Sequence, residues 1–352
     1  MRFVPRSSWL RLAFVGSAVA GVVLLIIWRG PAWGEVSSAF AIVSWRWVLV
    51  AIAFNLLSTI VRAIAWHTVI AQAIPPPLPS YRLVFSAFCV GLLGNAVLPG
   101  RIGELARVAV LTRRMRARRG VWATLVGTVF AHRVFDLVPV LTLVVFVLVA
   151  AEIPRWATTS LMIVVAVGIA LILFAVLAAR RPGRSALDGL GPVRRLVAMG
   201  REGLGVMRSP AATAQAIAFQ FVGWGFQLLA VWSAMYAFDI HEPLAAAGLV
   251  LVLMNVATIF PLWPGNVGLL QAAVALPLVS YGVGYARGFA FGIGLQAIEA
   301  SVGIGLGLYF LAREGLSFAM LRDMETPAEE IADEGSRGAG EPQRGLVGSG
   351  RG

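Results

Sequence analysis

Apolar runs close to the length of a bilayer-spanning helix recur along this chain, and that recurrence constrains its fold more than any motif. Full spans are expected near residues 11–28, 47–73, 121–148, 157–178, 211–236 and 288–311, because a helix needs about 20 predominantly apolar residues to cross a hydrocarbon core of about 30 Å. With 59% hydrophobic and 13% charged residues, the chain must be solvated mainly by lipid. The expected class is an all-α integral membrane protein with six full spans.

The formal charge is +12, and all 29 basic residues are arginine. On a soluble domain such a charge would suggest nucleic acid. Here the arginines lie in loops between apolar segments, where orientation in the membrane explains them, and nucleic acid is not an expected partner. Cys89 is the lone cysteine, so neither a disulfide framework nor a cysteine-based metal site is expected. Arg2, Arg6 and Arg11 precede the first apolar run as they would in a signal peptide, but "WRGPAWGEVSSAF" offers no convincing small-x-small cleavage site. The first helix is expected to be retained.

Short cytoplasmic loops collect arginine. The N-terminus, the segment "RRMRARRG" and the stretch 180–208 should therefore be cytoplasmic, whereas the connections 29–46, 149–156 and 237–243 hold Glu35, Glu152, Asp239 and Glu242 and should face outward. The tail 313–352 is polar and Gly-rich, with eight acidic residues against five arginines, and reads as disordered. That leaves a membrane unit over 1–312, with halves near 11–148 and 157–311 and both termini cytoplasmic.

Two further apolar regions, 83–112 and 245–280, are each interrupted by Pro-Gly. The chain is cytoplasmic on both sides of the first, and a helix from Arg101 to Thr112 would be about 18 Å long, too short to cross. A re-entrant hairpin from the cytoplasm is expected, and the same reasoning gives a second hairpin from the outer side over 245–280. Their tips match: Pro99-Gly100-Arg101-Ile102-Gly103 and Pro264-Gly265-Asn266-Val267-Gly268 both read PGx[IV]G. Each half then has two spans, a hairpin and one more span, three crossings in all. An odd number inverts the second half, giving an inverted repeat with its transport site near the midplane.

A helix starting at Gly100 or Gly265 would present unsatisfied N–H groups and the positive end of its dipole, a site for an anion such as phosphate. Arg101, Glu104 and Arg107 follow at i, i+3 and i+6, forming one slanting stripe. The stripe is either a self-neutralising ladder or a site in which the arginines take a phosphate and Glu104 a cationic or hydroxylated head group. In "GTVFAHRVFDLVPV" of the next span, Arg133 and Asp136 are three apart and His132 and Asp136 four apart, facing the bundle interior. His132 reads as a hydrogen-bonded structural residue, with a proton relay as the alternative. Arg62 and Glu299 are lone intramembrane charges in opposite halves, and a direct pair between them is an attractive arrangement. Trp28, Trp45, Trp47, Trp66, Trp122 and Trp156 read as interfacial anchors.

"LPGRIGELARVAVLTRR", "HRVFDLV" and "PLWPGNVGLLQAA", in that order and spacing, resemble the lysylphosphatidylglycerol synthase transmembrane-region family, the flippase-like part of the multiple peptide resistance factor. The likeness runs over roughly residues 11 to 312. It implies a multispanning protein of a bacterial plasma membrane that moves or handles lipids with phosphate-linked head groups, such as phosphatidylglycerol-type or polyprenyl-linked lipids. It carries site roles to Pro99, Arg101, Gly103, Glu104 and Arg107, to Arg133 and Asp136, and to Pro264, Gly265 and Gly268. Two positions depart from the family: His132 and Gln271 stand where it commonly has Glu, which weakens the case for a cationic lysyl head group. No counterpart of the family's aminoacyl transferase domain is expected in the short polar tail, so any lysylation is expected to come from a separate lipid-modifying enzyme.

The expected function is that of a lipid flippase or lipid-handling transporter acting on a phosphate-bearing lipid with an anionic head group, without enzyme activity, cofactor or metal. Gly100 and Asn266 join the binding set as tip residues, and Arg62, His132, Gln271 and Glu299 complete the candidates. The rivals are an intramembrane enzyme using Glu104, Asp136 or His132 as acid or base, and a non-transporting scaffold for a lipid-modifying enzyme.

Overall fold

The computed structural model describes residues 32–97, 103–115, 121–180, 209–259 and 266–315. Among the described residues all regular structure is helical: α1 (Trp33–Ala41), α2 (Trp45–Ala73), α3 (Tyr81–Val97), α4 (Gly103–Arg114), α5 (Val121–Ala150), α6 (Arg155–Arg180), α7 (Pro210–Ala237), α8 (Leu244–Ala257), α9 (Leu269–Leu278) with a following 3-10 turn, and α10 (Tyr285–Arg313). Five of these, α2, α5, α6, α7 and α10, are long and apolar enough to cross a membrane. They coincide with five of the six expected spans, and the sixth, near 11–28, lies outside the described residues. The chain is an all-α, multi-pass membrane protein.

The helices between the long ones differ in kind. At 1.5 Å per residue α3, α4, α8 and α9 are about 26, 18, 21 and 15 Å long, so none reaches across a core of about 30 Å. α8 is apolar all round, and every residue from Ala245 to Met254 is buried, as a helix enclosed by protein must be. α6 is the opposite: it buries little of itself and leaves Ile163, Val167, Leu171 and Phe174 exposed, a lipid-facing surface. α1 was not anticipated; the connection 29–46 contains a nine-residue helix packed on α10.

The two halves repeat in register. Ser58 of α2 donates to the Gly223 carbonyl of α7 at 2.8 Å, and these residues are 165 positions apart. The same interval takes Trp45, which opens α2, to Pro210, which opens α7, and takes Gly103 to Gly268 at the start of α9. α5 and α10 correspond to within two residues at both ends, and α3 and α8 to within two at their starts. The packing repeats too. α3 lies on α4 as α8 on α9; α4 on α5 as α9 on α10; α2 on α3 as α7 on α8; α2 on α5 as α7 on α10; and α3 on α10 as α8 on α5.

α2 and α7 pack on each other and run antiparallel, since Trp47 meets Tyr236, Phe54 meets Phe226 and Ser58 meets Gly223. Equivalent residues therefore touch where the equivalent helices cross. Gly223 is needed at that crossing, because a Cβ there would lie 2.6 Å from Arg62 Cγ. Gly223→Leu is expected to cost about 1–3 kcal/mol by overpacking and to push Arg62 aside, read as a lowered Tm of the purified protein.

Candidate functional site

At the middle of the bundle the charges expected in separate segments join into one chain. Arg62 is carried by α2, Glu104 and Arg107 by α4, and Arg133 and Asp136 by α5. Asp136 accepts from Arg62 Nη2 at 3.1 Å, from Arg133 Nη1 at 3.1 Å and from Trp224 Nε1 at 3.1 Å. Arg133 also reaches Glu104, and Glu104 in turn pairs with Arg107. The order along the chain is Arg107, Glu104, Arg133, Asp136, Arg62, so positive and negative groups alternate and three arginines exceed two carboxylates by one charge.

Each end of the chain is built into aromatic surface. The Arg107 guanidinium lies over the Trp66 ring at 4.5 Å and over Phe88 at 5.5 Å, an arrangement in which ring quadrupoles replace part of the lost hydration. The Trp66 indole is fixed by donating to Thr128 Oγ1 at 3.2 Å. Arg107 is only 3% exposed, and its Nε makes no hydrogen bond. At the other end Arg62 lies over Trp224 at 5.3 Å. Between them Arg133 is the open member, its side chain 44% exposed although it sits near the midpoint of the 30-residue α5. A charge so placed at membrane depth must face a wet or polar space rather than hydrocarbon.

Backbone fit positions α4. Gly91 and Gly94 of α3 face Gly103, and a Cβ at Gly103 would overlap the Gly91 carbonyl and the backbone of Asn95. α3 and α4 thus touch main chain to main chain, which holds Glu104 and Arg107 against α2 and α5.

Several expectations are changed by the geometry. The Arg/Glu stripe forms a ladder, but one extended across α2 and α5 rather than closed on α4. Arg62 pairs with Asp136 and not with Glu299; Glu299 accepts instead from Gln227 Nε2 at 2.8 Å. Trp66 is fully buried and is no interfacial anchor, whereas Trp45 is 74% exposed at the start of α2. His132 is buried beside Gln220, whose Nε2 is 3.3 Å from its ring nitrogens.

The second tip also differs: α9 begins at Leu269, after Gly268 with φ 90°, not at Gly265. There the Gly268 N–H donates to Gln271 Oε1 at 2.6 Å, and the Asn266 amide reaches the Ala257 carbonyl at 3.4 Å. Part of the donor set expected to grip an anion is thus met by the chain itself. Pro99, Gly100, Arg101, Pro264 and Gly265 lie outside the described residues.

Sequence reasoning missed Trp66, Phe88, Thr128, Gln220, Trp224 and Gln227. The signal for Trp66 was its spacing of four from Arg62, which puts both on one face of α2. Trp224 carried a comparable signal through the 165-residue register, which places it beside the α2 crossing.

The class that this geometry defines is a multi-pass helical membrane protein whose helices α2, α4 and α5 are linked by ion pairs. The chain belongs to the family described as the lysylphosphatidylglycerol synthase TM region, whose model matches residues 9–307. No curated protein and no solved structure gives a significant match.

Proposed function

We propose that this protein translocates or otherwise handles a lipid with a phosphate-bearing, anionic head group in a bacterial-type plasma membrane, with both termini cytoplasmic. The observation that carries this reading is the alternating chain from Arg107 to Arg62, with its surplus positive charge and its half-exposed central Arg133. A structural ladder alone gains nothing from an extra buried cation, whereas a ladder that receives a phosphate becomes neutral or anionic only when loaded. The paired halves, with short helices between the long ones and with the equivalent α2 and α7 running antiparallel, suit an inverted repeat whose short helix pairs would enter without crossing and that rocks about a fixed central site. The site would lie in 1–312, and acyl chains would remain in the bilayer. The carboxylates of Asp136 and Glu104 are both taken up by arginines, which favours binding over acid–base chemistry.

The test is purified protein in liposomes containing head-group-labelled phosphatidylglycerol, with leaflet exposure followed over time. Wild type is expected to speed relocation, and Arg133→Ala to slow it about tenfold, the equivalent of losing roughly one charge-assisted contact. Labelled lipid that stays in its leaflet with wild type would remove the translocation reading.

A further inference from the structure

The two halves share a register but not their charges. Across the 165-residue interval, Arg62 of α2 corresponds to Gln227 of α7. The inter-helix contact is repeated all the same: Arg62 donates to Asp136 on α5, and Gln227 Nε2 donates to Glu299 Oε1 on α10 at 2.8 Å. Gln296 stands three residues before Glu299 on α10, hence on the same face. Its Oε1 accepts from Gln271 Nε2 of α9 at 2.6 Å. A row of three amides and one carboxylate therefore runs Gln271, Gln296, Glu299, Gln227, from α9 across α10 to α7. The row contains no cation, and Arg62 beside it is the positive group that acts on Glu299.

We propose that this row is a subsite for the hydroxyl-bearing part of a phosphate-linked head group, a glycerol or a sugar. The inference rests on the arginine chain holding the phosphate, as above. Hydroxyls donate and accept at once, and their natural partners are groups offering both functions in neutral or singly acidic form. Gln271 spends both ends of its amide, on Gly268 and on Gln296, and so anchors the row. Gln227 and Glu299 each spend one atom on the other. That leaves Gln227 Oε1 and Glu299 Oε2 as two acceptors on partly buried residues already hydrogen-bonded to each other, a pair able to receive hydroxyl donors. A bare phosphate would gain nothing here, since the row lacks a counter-charge and Glu299 repels it. The charged half thus supplies grip and the uncharged half supplies selection.

The experiment measures binding of soluble head-group analogues to the detergent-purified full chain by calorimetry, with inorganic phosphate compared against glycerol 1-phosphate and glucose 1-phosphate. Wild type is expected to bind the better of the two hydroxylated ligands at least about tenfold more tightly than phosphate. Glu299→Ala and Gln227→Leu should each bring that ligand down to the affinity of phosphate while leaving phosphate binding no weaker than in wild type, which also shows that the variants remain folded. Equal affinities in wild type, or variants that weaken phosphate and hydroxylated ligands alike, would overturn the subsite and mark the row as inter-helix packing. Wild type that binds none of the three would overturn the phosphate reading, and the subsite with it.

Discussion

Asp136→Ala should be the most damaging single substitution in the central chain, lowering stability by about 3–5 kcal/mol, the cost of breaking a buried ion pair from one side. Asp136 is 5% exposed and accepts from two arginines and an indole. Without it Arg62 loses its anion, Arg133 loses one of its carboxylate partners, and the Trp224 N–H is stranded in the interior. Asp136→Asn separates the two contributions: its amide oxygen can still accept from Trp224, but the charge is gone. It should fall between wild type and the alanine variant in thermal melts of purified protein. Equal melting of all three would show that the arginines are satisfied by something other than this carboxylate.

Gly103→Val should be nearly as costly, about 3 kcal/mol, at the upper end of what overpacking brings. The neighbours of the missing Cβ are the Gly91 carbonyl and the Asn95 backbone, and main chain cannot rotate away as a side chain would. The arms α3 and α4 must separate, which withdraws Glu104 from Arg133 and Arg107 from Trp66. Stability and lipid relocation are therefore expected to fall together. Gly225→Ala is a matched control on α7, because nothing lies within 4 Å of a Cβ there.

Much of the fold was legible because it follows from solvent. Long apolar runs announce spanning helices, and the five found differ from expectation by at most three residues at any end. Pro-Gly inside two other runs marked where shorter helices would stand, and the repeated five-residue tip pointed to the internal register that the Ser58–Gly223 contact displays. The nine-residue α1 escaped because its apolar stripe is too brief to be separated from a loop.

The site was legible as a list of charges and not as a connected object. Single-helix spacing foresaw Arg133 with Asp136 and Glu104 with Arg107, since i, i+3 neighbours share a face. It could not foresee Arg62 with Asp136 or Arg133 with Glu104, which depend on how α2, α4 and α5 pack. The pairing of Arg62 with Glu299 failed for that reason: charge complementarity across halves is weaker than the contact α2 already makes with α5. Trp66 was misread because a tryptophan two turns from a helix end looks interfacial until Arg107 is found beneath its ring.

The central claim is that a lipid phosphate comes to rest against Arg133 in the middle of the bundle. A phosphatidylglycerol analogue with a photoreactive group next to its phosphate, activated in membranes holding the full chain and mapped by mass spectrometry, tests it directly. Attachment is predicted on the central turns of α5 around Phe130–Asp136 and on the facing part of α7 around Gln220–Gln227. Attachment confined to the helix ends around Arg46, Arg82 and Arg313 would contradict it, because lipid would then touch only the outer rim.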